Sequence, residues 1–437
     1  MDDHLPAEDD AASGGPGTDR PRSPAGARAA ALLRRPRLWL MPTVLTGLLA
    51  LLLSLLYMGG IVHPDEDLHH LPIALVNGDR SAPLPGARTN LGTQITRAVV
   101  TSGGGTADWR TLTRAEAQDQ LDSGRVYGAL VVPPRFTDSV AALTTTGATT
   151  RPTLTVLTNP GKGSLGSSLA SKITTAAAQQ ASATIGKQLT AHTAADATTR
   201  LLLADPVDVV TAVGHPIGRH SGLGLSAFYY TLLLVLTGFI GGNIIHTGVD
   251  GALGYADIEL GPWHTRRPTV PVDRTQTLLL KMLMTAGITV LTVSLVMAAT
   301  VGILGMDASH LPLLWIYSYC AALAVGLGVQ AINAAFGGIG QLVSMFVFIV
   351  LGLPSSGATV PLQAVPGFYR FLSVFEPMRQ LSDGVRAILY FSARADAGLA
   401  RAWLMIAIGT LLALVFGFAM TAYYDRRGHK RLTPQAS

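Results

Sequence analysis

Residues 38–61 read LWLMPTVLTGLLALLLSLLYMGGI, an uninterrupted run without a charge. A bilayer core about 30 Å thick takes roughly 20 apolar residues in a helix, so this run is long enough to span it. It is about twice the apolar core of a secretory signal, and no A-x-A site follows it, so it reads as a retained anchor. The pair Arg34-Arg35 ahead of it reads as charge at a helix end rather than a twin-arginine signal. Five further stretches resemble it: 225–245, 282–304, 311–336, the short 339–353, and 402–424. An unpaired amide costs several kcal/mol in hydrocarbon, which leaves helices as the spanning form. The expectation is a polytopic α-helical membrane protein with six transmembrane helices.

Composition agrees. Of 437 residues, 49% are hydrophobic and 14% charged, where soluble domains carry about 25% charge. That balance excludes a disordered chain and argues against a soluble enzyme. The lone Cys320 rules out an intrachain disulfide and a cysteine-based metal site. A net charge of +5 raises the question of nucleic acid, but the basic residues lie beside apolar runs, so no nucleic-acid partner is expected. Arg28, Arg34, Arg35 and Arg37 precede the first run, Arg266, Arg267 and Arg274 sit between the second and third, and Arg426, Arg427, Lys430 and Arg431 follow the sixth. By the positive-inside rule both termini are cytoplasmic, in a multi-pass protein of a bacterial-type cell membrane.

The chain then divides as follows. Residues 1–27 are a disordered cytoplasmic tail rich in Pro, Gly, Ser and Asp, and 28–61 a basic interfacial segment running into helix 1. Residues 62–224 form an extracytoplasmic α/β domain between helices 1 and 2. Residues 225–424 hold helices 2–6, with a cytoplasmic loop at 246–277 and an outer re-entrant segment at 354–398. Residues 425–437 are a basic cytoplasmic tail. Within the α/β domain the pattern predicts strands at 71–76, 126–132 and 154–157, and helices at 92–101, 113–121, 136–143 and 164–193. Thr113 and Glu116 have capping-box spacing, and Asn77-Gly78-Asp79 is a turn after the first strand.

A search for chemistry finds little. Gly161-Lys162-Gly163-Ser164 lacks the upstream glycine of a P-loop and reads as a turn before a helix. His69, His70, His215 and His220 have no metal-ligand spacing and read as solvated surface residues. Ser355-Ser356-Gly357 is not a nucleophile elbow. No cofactor and no catalytic activity are expected. The six runs carry no Asp, Glu, Lys or Arg in their cores, which argues against an ion-coupled transporter. Ala322/Gly326 and Ala324/Gly328 repeat at four-residue spacing, suited either to packing within the subunit or to a dimer face. Gln330, Asn333 and Gln341 are placed either to line a pathway or to hydrogen-bond across helices.

Three stretches carry a family likeness: Leu71-Pro72-Ile73-Ala74-Leu75-Val76-Asn77 with Leu91-Gly92 and Tyr127-Gly128-Ala129-Leu130-Val131-Val132-Pro133; Ala227-Phe228-Tyr229-Tyr230; and Gly352-Leu353-Pro354-Ser355-Ser356-Gly357 continuing through Pro366-Gly367-Phe368-Tyr369-Arg370 and Asp383-Gly384-Val385-Arg386. In these the sequence resembles type-2 ABC exporter membrane subunits, closest to the phage infection protein (YhgE/Pip) branch and the nitrosoguanidine-resistance membrane proteins. The resemblance implies a homodimeric permease whose ATP-binding cassette subunit is a separate chain docking on the cytoplasmic side. Some relatives act instead as receptors or secretion-associated scaffolds, which is the alternative reading. A permease of this kind needs a cytoplasmic element that rides on the ATPase, and the Gly337-Gly338 turn is too short to serve. The 246–277 loop remains, with 255–259 expected as a short helix stopped by Gly261-Pro262. Tyr255, Glu259 and Trp263 are the expected coupling residues, Glu259 either facing the ATPase or balancing Arg266 and Arg267, and Trp263 anchoring the loop at the interface.

Overall fold

The computed structural model describes residues 36–102, 104–144, 151–192, 203–265 and 267–428. The expected disordered tail 1–27, the basic residues before 36 and the last residues, 429–437, lie outside the described residues. Two compact units divide the chain at residues 55 and 56. The first contains most of helix α1 (Pro36–Met58), apolar all round, as a buried or membrane helix is. All other described elements belong to the second unit.

The α/β domain is built on a five-stranded sheet in the order β2-β1-β3-β4-β5. β1 (Leu71–Asn77) pairs in parallel with β2 (Ala107–Leu112) and β3 (Gly128–Val132). β4 (Thr153–Thr158) runs antiparallel to β3 and parallel to β5 (Asp208–Val213). β1, β3 and β4, and helices α2 (Leu91–Ser102), α3 (Arg114–Asp122), α4 (Phe136–Ala142) and α5 (Ser164–His192), fall close to where the sequence pattern puts them. β2 and β5 do not announce themselves. They are the two edges of the sheet, and an edge strand such as ADWRTL has no buried apolar run to read. β1 and β3, by contrast, are covered on both faces. Leu75, Leu130 and Val132 pack with Ile95, Phe136 and Ile185 on one side, and Ala74, Val76, Ala129 and Val131 with Ala117 and Leu121 on the other. Burial on both faces produces continuous apolar strands.

The capping box forms as its spacing predicts. Thr113 Oγ1 accepts from the Glu116 amide at 3.2 Å, and Glu116 Oε2 accepts from the Thr113 amide at 2.8 Å. A second capping device lies deeper. Asp79, buried just past β1, accepts from the Gly92 amide at 3.1 Å in the first turn of α2, from the Thr137 amide at 3.3 Å in the first turn of α4, and from the Thr137 hydroxyl. The Ser81 amide bonds its other oxygen at 3.1 Å. One carboxylate thus receives two helix N-termini, where the macrodipoles favour negative charge. Gly92 has to be glycine here, since a Cβ would stand 2.5 Å from Asn77 Oδ1 and from Asp79 Cβ.

Among the described residues, four helices are long and apolar enough to cross a membrane: Ser226–Ala252 (α6), Arg274–Ile303 (α7, Arg274–Met297, extended by π-helical turns), Leu311–Ser355 and Leu399–Arg426 (α12). The 45-residue Leu311–Ser355 stretch is not one rod. Gly337 takes φ 59° and ψ −128°, and the chain turns back there. A Cβ on Gly328 would meet the Phe348 ring, and one on Gly340 would meet Asn333, so the pairs stay in antiparallel step. The arms are α8 (Leu311–Phe336) and α9 (Gly340–Met345, continued by Phe346–Val350 and Gly352–Ser355).

Small residues hold the bundle together. Gly238 of α6 lies against the Ala322 carbonyl and Val325, Gly326 of α8 against Thr285, and Gly328 against Phe348. The four-residue repeat of α8 therefore packs within this chain. Segment 354–398 carries two successive helices, α10 (Gly367–Phe375) and α11 (Pro377–Tyr390), joined at Glu376, whose two oxygens accept from the Met378 and Arg379 amides at 2.9 Å each. His215 corrects the surface reading given to the histidines: it is half-buried and joins Asp122 of α3 at 2.8 Å to the Tyr390 carbonyl of α11 at 2.7 Å. The domain and the helices share that clasp.

Burial pushes the Asp79 carboxyl up, but the hydrogen bonds from Thr137, Ser81 and Gly92 outweigh it and hold the group below the usual carboxylate range. A carboxyl depressed on folding stabilises above its unfolded pKa, and that stability is lost as pH falls through the folded value. Asp79→Ala should cost about 3 kcal/mol at neutral pH, seen as faster hydrogen exchange in β1, α2 and α4. The difference from the parent chain should vanish at acid pH.

Candidate functional site

The end of α6 and the beginning of α7 flank residues 253–273, and a charged cluster joins them. His246 and Asp250 lie one turn apart on α6, and Lys281 sits two turns into α7, about 10 Å from its start. Lys281 Nζ is 2.8 Å from Asp250 Oδ1 and 2.9 Å from His246 Nδ1. His246 Nε2 is 3.3 Å from Asp250 Oδ2. One neutral tautomer meets all three contacts: Nδ1 accepts from the ammonium, and Nε2–H donates to the carboxylate. Lys281 is only 3% exposed and Asp250 14%, so the ion pair between them is largely withdrawn from solvent. The sequence reading placed residues 246–277 in a loop. In fact α6 runs to Ala252, and the i, i+4 spacing of His246 and Asp250 was the available signal.

Beside this cluster lies a cavity of about 330 Å³ whose wall includes Asn243, His246, Asp250, Arg274, Asn333 and Gln341. Two of the three residues expected to line a pathway are on it. Asn333 donates to Asn243 Oδ1 at 3.0 Å, and Gln341 is exposed. Gln330 is elsewhere: fully buried, it donates to the Gly242 carbonyl at 2.9 Å and to Thr285 Oγ1 at 3.2 Å, tying α8 to α6 and α7. Below the cavity Asp425 of α12 accepts from the Thr275 amide and hydroxyl at 3.2 and 2.8 Å, capping the start of α7.

The loop itself differs from expectation. Residues 255–259 do not form a helix. Ile258–Leu260 is a strand (β6) paired antiparallel with Trp263–Thr265 (β7), with Leu260 opposite Trp263. Gly261 at φ 59° leads the two-residue turn, the requirement of a type II′ hairpin, and Pro262 suits its second position. Six residues between Gly254 and the Gly261-Pro262 pair cannot meet the cost of nucleating a helix. Tyr255 clamps the loop instead, donating to the Val270 carbonyl at 2.7 Å and accepting from the Val272 amide at 3.4 Å. Trp263 is 74% exposed. The Glu259 side chain lies outside the described residues; its backbone pairs with His264.

A family model described as a protein of unknown function (DUF3533) matches residues 42–409. The chain belongs to that family. No curated protein and no solved structure matches it. The DUF3533 match begins in α1 and ends in α12, so the α/β domain and the helices are one family unit rather than a fusion.

Lys281→Met removes the ammonium 2.8 Å from the largely buried Asp250 carboxylate and should destabilise the detergent-solubilised protein by about 3 kcal/mol. Adding Asp250→Leu should return most of that loss. Additive losses in a double-mutant cycle of thermal unfolding would show that the two do not interact.

Proposed function

We propose that this DUF3533 chain is the membrane permease subunit of an exporter driven by a separate ATP-binding chain, working as a homodimer in a bacterial-type cell membrane. In this reading α1, α6, α7, α8, α9 and α12 make six crossings. The α/β domain and helices α10 and α11 lie outside, and the β6–β7 loop and both termini lie in the cytoplasm, as the basic residues beside α1, α7 and α12 favour. The supporting observation is the Lys281–Asp250–His246 cluster. It fastens together the two helices that carry the loop, so a push on the hairpin is passed to α6 and α7 as one body. Tyr255 stiffens the loop, and exposed Trp263 offers an aromatic surface for a partner. The sequence has no P-loop, so ATP hydrolysis falls to that partner. The coupling element is then a β-hairpin in place of the expected helix.

Affinity purification of the full chain from its native membranes should bring down an ATP-binding cassette subunit. Trp263→Ala should weaken that association about tenfold, and Lys281→Met should leave the ATPase bound while its hydrolysis no longer responds to the permease. If no ATP-binding chain co-purifies, the export reading fails. If function also depends on residues 62–224 and not on the hairpin, a receptor or scaffold takes its place.

A further inference from the structure

Where the α/β domain meets the helices there is a second polar chamber, of about 570 Å³. The domain contributes Arg110, Arg125 and Lys162 to its wall, α11 contributes Arg379 and Arg386, and the start of α12 contributes Arg401. Only two carboxylates line it, Asp383 and Asp396. Asp396 is already taken, 2.8 Å from Arg125 and 2.9 Å from Arg394. Asp383 lies 3.8 Å from Arg386, and Arg110 is paired with Asp108 at 3.0 Å. Among the described residues Lys162 and Arg401 have no carboxylate partner, and Arg379 gives its Nη1 to the neutral carbonyl and hydroxyl of Ser373.

The chamber is built rather than incidental. Arg386 is 4% exposed and held by the Ala358 carbonyl at 2.8 Å, yet its Nε has no acceptor among the described residues. The Gly161-Lys162-Gly163 turn is pressed onto α11: a Cβ on Gly161 would stand 3.2 Å from Tyr390, and one on Gly163 3.5 Å from Arg386 Nη2. Lys162 is thereby fixed with its ammonium 6.0 Å from the centre of the Tyr127 ring. Burial pushes that ammonium down, Asp383 opposes the shift, and Arg386 and Arg379 add to it. Burial likewise pushes the Tyr127 hydroxyl up to about 12, so it stays a neutral donor. The positive charge of Lys162, Arg379 and Arg401, left over after the ion pairs of the wall, is costly in a walled site until an anion supplies the compensation.

We infer that this chamber binds a phosphate-type oxyanion, either the headgroup of an anionic phospholipid or a soluble phosphate. Guanidinium forks match the geometry of phosphate oxygens, and several cations converging on one space suit a multiply charged group better than a single carboxylate. A headgroup has a route in. Four residues after Gln363 on the chamber wall, α10 begins, and it leaves Phe368, Phe371 and Phe375 exposed, an aromatic surface suited to the bilayer interface. The site goes beyond the export reading and does not need an ATPase.

The test uses the full chain in nanodiscs, with radiolabelled inorganic phosphate as one probe. The other is native mass spectrometry of retained phosphatidylglycerol against phosphatidylcholine. The double variant Lys162→Met/Arg401→Gln should bind about tenfold more weakly, Lys162→Arg should retain binding, and Arg135→Gln on the exposed domain surface should change nothing. Melting temperatures of all variants guard against misfolding. Loss of phosphate binding identifies a soluble anion, and loss of phosphatidylglycerol alone identifies a headgroup. If the unaltered chain binds neither probe better than the double variant, the inference is overturned, while the ATPase co-purification stands or falls separately.

Discussion

Every helix leaves its first amides without acceptors, and at the joins of this chain carboxylates supply them. Asp79 serves α2 and α4, Glu116 serves α3, Glu376 serves α11, and Asp425 reaches across from α12 to α7. Two of them are also tethers. Asp79 fixes the loop after β1 to two helices from different parts of the domain. Asp425 ties the end of α12 to the start of α7. Loss of either removes a cap and a tertiary contact together, whereas Glu116 and Glu376 cap within their own stretch of chain.

The helical arms were legible because hydrocarbon demands length and apolarity, and both can be counted along a chain. The α/β domain was legible wherever strands are buried on two faces or a helix opens on a capping box. It was silent at β2 and β5, whose edge positions leave their side chains half in solvent. The β6–β7 hairpin was misread because Gly-Pro stops a helix and turns a hairpin equally well, and only the φ of Gly261 separates the two. Of the residues singled out in the sequence, Asn333 and Gln341 share a cavity wall, and Gln330 is a tie between helices. The partners that matter most were beyond sequence pattern. Asp250 meets Lys281 across a loop, and the cationic chamber draws Arg110, Lys162 and Arg401 from three distant segments.

Charge in the folded chain is concentrated at two levels. One is the Lys281 cluster beside the β6–β7 loop, internally balanced. The other is the chamber beneath the α/β domain, with cations in excess. Between them the helices meet through small residues and a few amide contacts such as Gln330 to Gly242. Glycines set side by side let helices slide without breaking ion pairs, whereas the two charged levels hold their surroundings in fixed geometry. Rigid ends joined by a smooth middle suit a bundle that tilts.

The reversal at Gly337 has a consequence for how the chain enters a bilayer. From Leu311 to Ser355 there is no Asp, Glu, Lys, Arg or His, so the insertion machinery meets 45 residues with nothing to mark where one arm stops and the next begins. Basic residues give no cue inside this stretch. The reversal between its two arms falls to the backbone of a single residue at φ 59° and ψ −128°. A side chain at that position would disfavour the turn, and with it the close approach of Gly328 to Phe348 and of Gly340 to Asn333 that keeps the arms in step.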